Sequence, residues 1–256
     1  MKIVAIIPAH LNSIRFPKKI IYPILGLPMI EHVRRRALLF EDFNEVIVAT
    51  CDEKISNLVK KFGGKTIMTS NNHKNGTSRV AEAIQKIDCS HVVLLQGDEP
   101  LILPNQLKVF YNNIINNPGY DSWNATGKIE SFDDLDKYSI VKCIVSNSRN
   151  ITKCFRYYKN LPDKFKDKSE IRKILGLIAY QKDFLDKINN KPETNMEKKE
   201  LIEQIRIIEN GYNLISVSIF PTLPSVNEPN DVKIVEDYIS QNKEQQEIFN
   251  SILYSK

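Results

Sequence analysis

Several things are scarce in this 256-residue chain, and each scarcity removes a class of protein. The four cysteines, Cys51, Cys89, Cys143 and Cys154, show no CxxC or other metal-ligand spacing, so reduced thiols are expected rather than a zinc site or a disulfide framework. Only nine glycines occur, and none falls into a P-loop or a dinucleotide fingerprint. No apolar run approaches the ~18 residues of a membrane span. The opening Met-Lys-Ile-Val-Ala-Ile-Ile-Pro is apolar too briefly for a signal peptide and has no small-residue cleavage site. Charge of one sign is also wanting. An excess of +5 is milder than a strongly basic nucleic-acid binder would show. Of the four histidines, His32, His73 and His91 are scattered without ligand spacing, and single Trp123 carries no chemical signal. No internal repeat is present.

What remains is ordinary for a globular domain, with 42% hydrophobic and 26% charged residues. Residues 2–7, 45–50 and 90–95 are continuous apolar runs, which read as buried parallel strands. Helical patterns lie between and around them at about 28–41, 52–62 and 77–87. That alternation predicts a parallel sheet covered by helices. Beyond it we expect a helix at 104–116 and strands near 122–129, 138–146, 151–157 and 174–180. A helix at 197–210, a strand at 213–219 and a helix from about 229 follow. Residues 158–172, polar and lysine-rich around Pro162, read as the linker-like stretch. His32 reads as helix surface and His91 as a strand residue, while His73 lies near a loop of interest.

In open α/β sheets ligands bind outside the carboxyl ends of the strands, which singles out residues 8–19, 69–79 and 96–103. The first loop, from Pro8 to Lys19, sets Arg15, Lys18 and Lys19 beyond a buried strand, where cations can meet phosphate oxygens; a merely solvated basic loop is the plain alternative. In the third loop, Gln96-Gly97-Asp98-Glu99-Pro100, Asp98 could hold a magnesium ion bridging nucleotide phosphates. An exposed turn using Gly and Asp for backbone geometry would look the same.

Taken together, these loops resemble a family. Ile7-Pro8-Ala9 with Ser13, Arg15-Phe16-Pro17 and Lys19 opens the pattern, followed by Gly26, Pro28-Met29-Ile30, Val48-Ala49-Thr50 and Asp52-Glu53. Gly76-Thr77, Arg79, Ala81-Glu82-Ala83 and the run Leu95 to Ile102 continue it. Glu197 to Gly211 and Val226, Pro229 and Asp231 complete it, in order over nearly the whole chain. The pattern is similar to the CMP synthetases that use 3-deoxy-manno-octulosonate. The resemblance implies a single α/β domain over 1–256, Rossmann-like with a mostly parallel central sheet, of the nucleotide-diphospho-sugar transferase type. It implies a cytoplasmic homodimer, with a dimerising and sugar-facing portion at about 130–190, serving surface polysaccharide or lipopolysaccharide synthesis. The reaction would join CTP to a 3-deoxy-2-ulosonic acid, giving a CMP-sugar and pyrophosphate with Mg2+ as cofactor; no nucleic acid or membrane partner is expected.

The same resemblance assigns residues. Arg15, Lys19 and Asp98 would be catalytic, the two cations holding the triphosphate. Pro8, Ala9, His10, Thr77, Arg79 and Gln96 would join Arg15 and Lys19 around the nucleotide. Glu203, Gln204 and Arg206 would face the sugar, and Asp98 with Asn227 would hold the metal. Lys18 stands where the family has glycine and is left out of the site. Departures from the pattern matter. His10 replaces an arginine, so a permanent charge becomes conditional. Asn75 and Ser78 flank Gly76-Thr77 where serine and an acid are usual. Asn227 replaces a metal-binding aspartate, and its neutral oxygen is a weaker donor. The adjacent Glu228 is a possible substitute, although its side chain is expected to point elsewhere. Tyr157 and Tyr158, aligned through Leu161-Pro162, replace Ser and Arg, and Ile174 to Ile178 has lost polar groups of a His-x-Gly-x-Tyr strand. Three outcomes stay open on the sugar side: the same substrate, another keto-deoxy sugar acid, or an inactive nucleotide-binding relative. Residues 149–173 hold nine Lys/Arg against three acids, which fits a loop beside anionic substrates better than RNA binding.

Overall fold

A computed structural model describes residues 1–131, 133–157 and 170–254. The elements begin with β1 (Ile3–Ala9), β2 (Pro23–Ile24), β3 (Leu27–Pro28) and α1 (Met29–Leu38). Next come β4 (Glu45–Thr50), α2 (Glu53–Lys61), β5 (Lys65–Met68), α3 (Gly76–Ile84), β6 (His91–Leu95) and α4 (Pro104–Ile115). The middle of the chain forms β7 (Ser122–Gly127), α5 (Asp133–Asp136), β8 (Lys142–Val145), β9 (Ile151–Phe155) and β10 (Ile171–Gln181). Last are α6 (Lys182–Asn189), α7 (Asn195–Glu200), α8 (Gln204–Glu209), β11 (Ile215–Ser218), α9 (Pro229–Gln241) and α10 (Lys243–Tyr254). The chain clusters into two compact units, one formed by residues 1–108 with 223–256, the other by 109–222.

In the first unit the strands run in the order β6-β1-β4-β5, all parallel. Every residue of β1 and β6 is buried, as their unbroken apolar runs require of strands covered on both faces. The chain winds outward through β1, β4 and β5, then returns so that β6 pairs with β1 from the other side. The order therefore reverses between β1 and β6, and the loops leaving these two strands open the crevice where α/β sheets take ligands. A second apolar cluster joins Phe16, Met29 and Leu101 to Val226, Val235 and Ile239, so the loops at 16 and 226 share one anchor.

Helix α1 was the element whose character the sequence hid. His32 was expected on its surface, yet Glu31, His32, Val33, Arg34, Arg35 and Arg36 are all buried. Glu31 offsets the burial of two of the arginines by accepting from Arg34 Nε at 2.9 Å, Arg34 Nη2 at 2.6 Å and Arg35 Nε at 3.1 Å. Arg36 donates to the Ile102 carbonyl at 3.4 Å, and burial lowers its pKa to about 10. Arg35 also donates to the Ile252 carbonyl of α10. His32 is therefore not a surface residue. Its Nε2 lies 2.9 Å from the Ile24 carbonyl, its ring stacks on Phe249, and burial pushes its pKa down to about 4. His91 is a buried strand residue, as read.

In the second unit β11 pairs parallel with β7, while β7–β10, β10–β8 and β8–β9 are antiparallel. Ile174–Ile178 falls at an irregularity of the β10–β7 register, with Asn124 Nδ2 donating to the Leu175 carbonyl at 3.2 Å. Helix α6 was not foreseen, although Phe184, Leu185 and Ile188 carry the spacing of an amphipathic turn. Strand β5 was missed because it is four residues long and nowhere fully buried. Most of 158–172, with Tyr158 and Leu161-Pro162, lies outside the described residues; Tyr157 is exposed.

The helix expected at 197–210 is two helices. Leu201 adopts the left-handed conformation (φ 53°, ψ 47°) and ends α7. Arg156 takes the freed carbonyls, donating from Nε to Glu200 at 2.7 Å and from Nη2 to Leu201 at 3.0 Å. The C-terminal helix is likewise divided, at Asn242. Because Leu201 is 68% exposed and strained, Leu201→Gly is expected to stabilise the fold by about 1 kcal/mol in denaturant unfolding. A loss of stability would show that the side chain contributes more than its backbone costs.

Candidate active site

The loop after β1 folds back on itself, the Lys18 amide donating to the Leu11 carbonyl at 3.0 Å and the Lys19 amide to Phe16 at 3.1 Å. Lys18 pays for this turn with φ 61°, a conformation natural to glycine, which explains why glycine suits this position. Lys18 then acts as backbone, and Lys19 begins a short 3-10 turn directed inward. Phe16 is buried against Tyr22, edge-to-face at 5.1 Å, and fixes the loop to the core.

Lys19 is the centre of a cluster beyond the ends of β1 and β6. Its Nζ lies 2.6 Å from Asp98 Oδ2 and donates to the Val226 carbonyl at 3.0 Å. The Val226 amide in turn donates to the Asp98 carbonyl at 3.0 Å. Arg15, exposed on the same loop, donates from Nη2 to Asn227 Oδ1 at 3.2 Å. Four residues from three distant parts of the sequence, Arg15, Lys19, Asp98 and Asn227, thus meet around hydrogen bonds. The loop after β6 comes close because Gly97 has no side chain; a Cβ there would lie 2.4 Å from Ile20 Cδ1.

A cleft of about 200 Å3 opens beside this cluster, lined by Pro8, Ala9, His10, Lys19, Gly76, Arg79, Gln96 and Asp98 among others. Gly76 sits against Pro8, 3.1 Å from where a Cβ would stand. Asn75 caps α3 by accepting from the Ser78 amide at 2.9 Å, and Thr77 is buried in the first turn. The positive end of α3 adds to a cleft already rich in cations, an arrangement suited to an anionic ligand. Arg79 is buried there and donates from Nη1 to Thr69 Oγ1 at 2.7 Å and to the Ser70 carbonyl at 3.2 Å. It braces the loop before α3 as well as lining the cleft.

Sequence analysis placed His73 near this loop and Glu82 in the family pattern but gave neither a role. Glu82 Oε2 lies 2.6 Å from His73 Nε2 and accepts from the Ser70 amide at 2.9 Å. Those bonds, His73 first, hold the Glu82 carboxyl below its usual pKa. Together with Arg79 they tie residues 69–75 to α3. The only hint in the sequence was their place around the loop.

Of the residues expected at the sugar, all lie in the second unit. Arg206 forms a two-pronged pair with Glu197, Nε to Oε2 at 2.8 Å and Nη2 to Oε1 at 2.6 Å. Gln204 Nε2 donates to Asn124 Oδ1 at 3.0 Å. Glu203, half-buried, stands at the start of α8.

For a metal, the donors on hand are one carboxylate, Asp98, and the Asn227 amide oxygen. Among the described residues no cluster of three or more His, Cys, Asp and Glu could hold an ion. Two hard oxygens match magnesium, which keeps several waters and takes its other ligands from substrate phosphates, so the residues fit such an ion. Glu228 does not join them. Its side chain accepts from the backbone of Asp231 in a capping box.

An α/β fold with a cation-lined cleft at the strand-order reversal defines a nucleotide-handling enzyme. The chain belongs to the cytidylyltransferase family, whose model matches residues 4–218. Similar relatives include the 3-deoxy-manno-octulosonate cytidylyltransferase of Trichlorobacter lovleyi, 33% identical over 94% of this chain and all of that one. The 8-amino-3,8-dideoxy-manno-octulosonate cytidylyltransferase of Shewanella amazonensis is 35% identical over 93% of this chain and 98% of its own. A solved CMP:2-keto-3-deoxy-manno-octonic acid synthetase complexed with CTP superposes with a TM-score of 0.86. It is 32% identical, covering 94% of this chain and 99% of that one. No helix among the described residues is long and apolar enough to cross a membrane.

His10 generates a prediction about pH. Loss of solvent in the cleft, then the Arg79 cation, lower its pKa from 6.5, so the free protein carries it neutral at pH 7. A bound triphosphate favours the charged form and raises that pKa. Protonation then strengthens binding, and the strengthening grows as pH falls from the raised pKa of the bound state toward the lowered pKa of the free protein. Comparing the CTP affinity of the wild type with that of His10→Gln across pH 5.5–8 should show the ratio rising toward low pH. A constant ratio would remove His10 from the nucleotide site.

Proposed function

We propose that this chain transfers CMP from CTP to a 3-deoxy-2-ulosonic acid, with 3-deoxy-manno-octulosonate as the preferred acceptor. The observation that carries this reading is the convergence of Arg15 and Lys19 with Asp98 beside the Pro8–Gln96 cleft. The relatives' names supply the substrate class. In the reaction the acceptor's anomeric hydroxyl oxygen bonds to the α-phosphorus while the bond to the β-phosphate bridging oxygen breaks. CTP and the sugar acid give the CMP-sugar and pyrophosphate, with no covalent enzyme intermediate.

This chain's share of the work is placement and charge. The turn at Gly76 and the Gln96 side chain make a narrow floor suited to a pyrimidine. Lys19, held from two sides by Asp98 and the Val226 carbonyl, presents a fixed cation, and Arg15 can leave a neutral amide partner for a phosphate oxygen without breaking an ion pair. Asp98 and Asn227 would hold magnesium, which neutralises phosphate charge when bound. Glu203, Gln204 and Arg206 are assigned to the acceptor, Arg206 chiefly by holding α8 through Glu197. The proposal includes a homodimeric, cytoplasmic enzyme acting in surface polysaccharide synthesis; light scattering at twice the chain mass is the expected result.

Pyrophosphate release tests the reading, with CTP or ATP and a panel of keto-deoxy sugar acids that includes the 8-amino sugar. Release should require CTP and a ulosonic acid, and Arg15→Ala and Lys19→Ala should each cut kcat/KM by roughly 100-fold. Arg15→Ala should keep a melting temperature near that of the wild type, while Lys19→Ala should stay folded but melt lower, because Asp98 loses its partner. Equal use of ATP, or full rates from both variants, would overturn it. The metal donors yield a second test. Because ion affinity follows ligand charge, Asn227→Asp should lower the magnesium concentration for half-maximal rate. An unchanged requirement would remove Asn227 from the metal.

A further inference from the structure

We propose that Asp231, which touches none of the site's cations, is the residue that positions the phosphate end of the site. The inference rests on the reading of the cleft given above. Residues 226 and 227 carry its third side: the Val226 carbonyl accepts from Lys19, the Val226 amide donates to the Asp98 carbonyl, and Asn227 Oδ1 accepts from Arg15. The Val226 side chain is fully buried, which anchors that residue. Asn227 has no such anchor of its own. Its backbone amide instead donates to Asp231 Oδ2 at 2.7 Å, and the next amide, Glu228, donates to the same oxygen at 2.8 Å.

A simple helix-capping role accounts for only part of this. Glu228 is the N-cap of α9 and Asp231 its third residue, and the reciprocal box between them needs only the Glu228 amide. The bond to Asn227 lies one residue upstream of the cap and adds nothing to the helix. It fixes the backbone from which the Asn227 side chain projects. A second bond, Asn227 Nδ2 to Ser225 Oγ at 3.2 Å, then turns the amide oxygen toward Arg15. Charge-assisted bonds from a carboxylate to two successive amides make a stiff clamp. Asp231 accordingly acts through Asn227 on Arg15 and on any cation at Asp98.

The test compares Asp231→Ala and Asp231→Asn with Glu228→Ala, which removes the other half of the box and leaves the Asn227 amide bonded. Thermal unfolding, CTP affinity by calorimetry, and the magnesium dependence and kcat of pyrophosphate release are measured on all four proteins. Asp231→Ala should raise the magnesium requirement and the CTP KM by roughly tenfold, the size seen when a partner behind a ligand is lost. Asp231→Asn, which keeps an acceptor oxygen, should recover part of both. Glu228→Ala should lower thermal stability, though less than Asp231→Ala, while leaving both constants at wild-type values. If Asp231 variants change stability alone, or if Glu228→Ala shifts the constants equally, the residue is only a cap. If the wild type itself binds no CTP, the reading of the cleft falls, and the positioning role with it.

Discussion

One ion pair organises this protein's site: Lys19 to Asp98, at 2.6 Å, with the Val226 carbonyl closing the third corner. Its two side chains are mostly enclosed, so the charges see less water than a surface pair would, and leaving either alone would be costly. The surrounding backbone is arranged to supply it. The left-handed turn at Lys18 aims Lys19 inward, the bare Gly97 lets the loop after β6 approach, and buried Val226 fixes the third strand of chain. A cation pre-placed in this way needs no reorganisation when phosphate charge develops, which is the economical way to run phosphoryl transfer.

The supporting layer around the cleft works by the same logic. Glu82, Arg79 and Asn75 bind the 69–75 loop to α3, so that helix and loop move as a unit. Arg206 and Glu197 do the equivalent for α7 and α8 across the break at Leu201. In both places a charged side chain that looks like a ligand residue spends its bonding capacity on the protein. Rigid second partners of this kind decide whether a site is merely present or correctly shaped.

Much of this was readable from residues alone, for identifiable reasons. The buried strands declared themselves by unbroken apolar runs, and their carboxyl ends located the loops of Pro8 and Gln96 before any coordinates. Arg15, Lys19 and Asp98 were singled out from those loops, where a solvated basic loop and an exposed turn would look the same, and the structure brings them into one cluster with Val226 and Asn227. What stayed hidden depended on pairings that leave no local trace. His32 and three arginines are buried in α1, where Glu31 serves Arg34 and Arg35 at once, and nothing in the local sequence shows that pairing. The break at Leu201 depends on Arg156, some forty residues earlier, collecting the last carbonyls of α7. The Asp231 clamp shows only as a motif letter until the Asn227 amide is seen to end on it.

The first unit is assembled from two stretches of chain that synthesis separates by more than a hundred residues. Its shared apolar cluster needs Phe16 and Met29 from one stretch and Val226, Val235 and Ile239 from the other. The buried arginine helix likewise waits for a carbonyl of α10. On the ribosome, then, the strands of the first unit emerge before the second of its two stretches, whereas residues 109–222 are contiguous in the chain. The long loop that must be closed imposes its entropic cost late, and the opening segment passes that interval with apolar strands β1 and β4 incompletely covered. The unit that closes last is the one that holds the Pro8–Gln96 cleft.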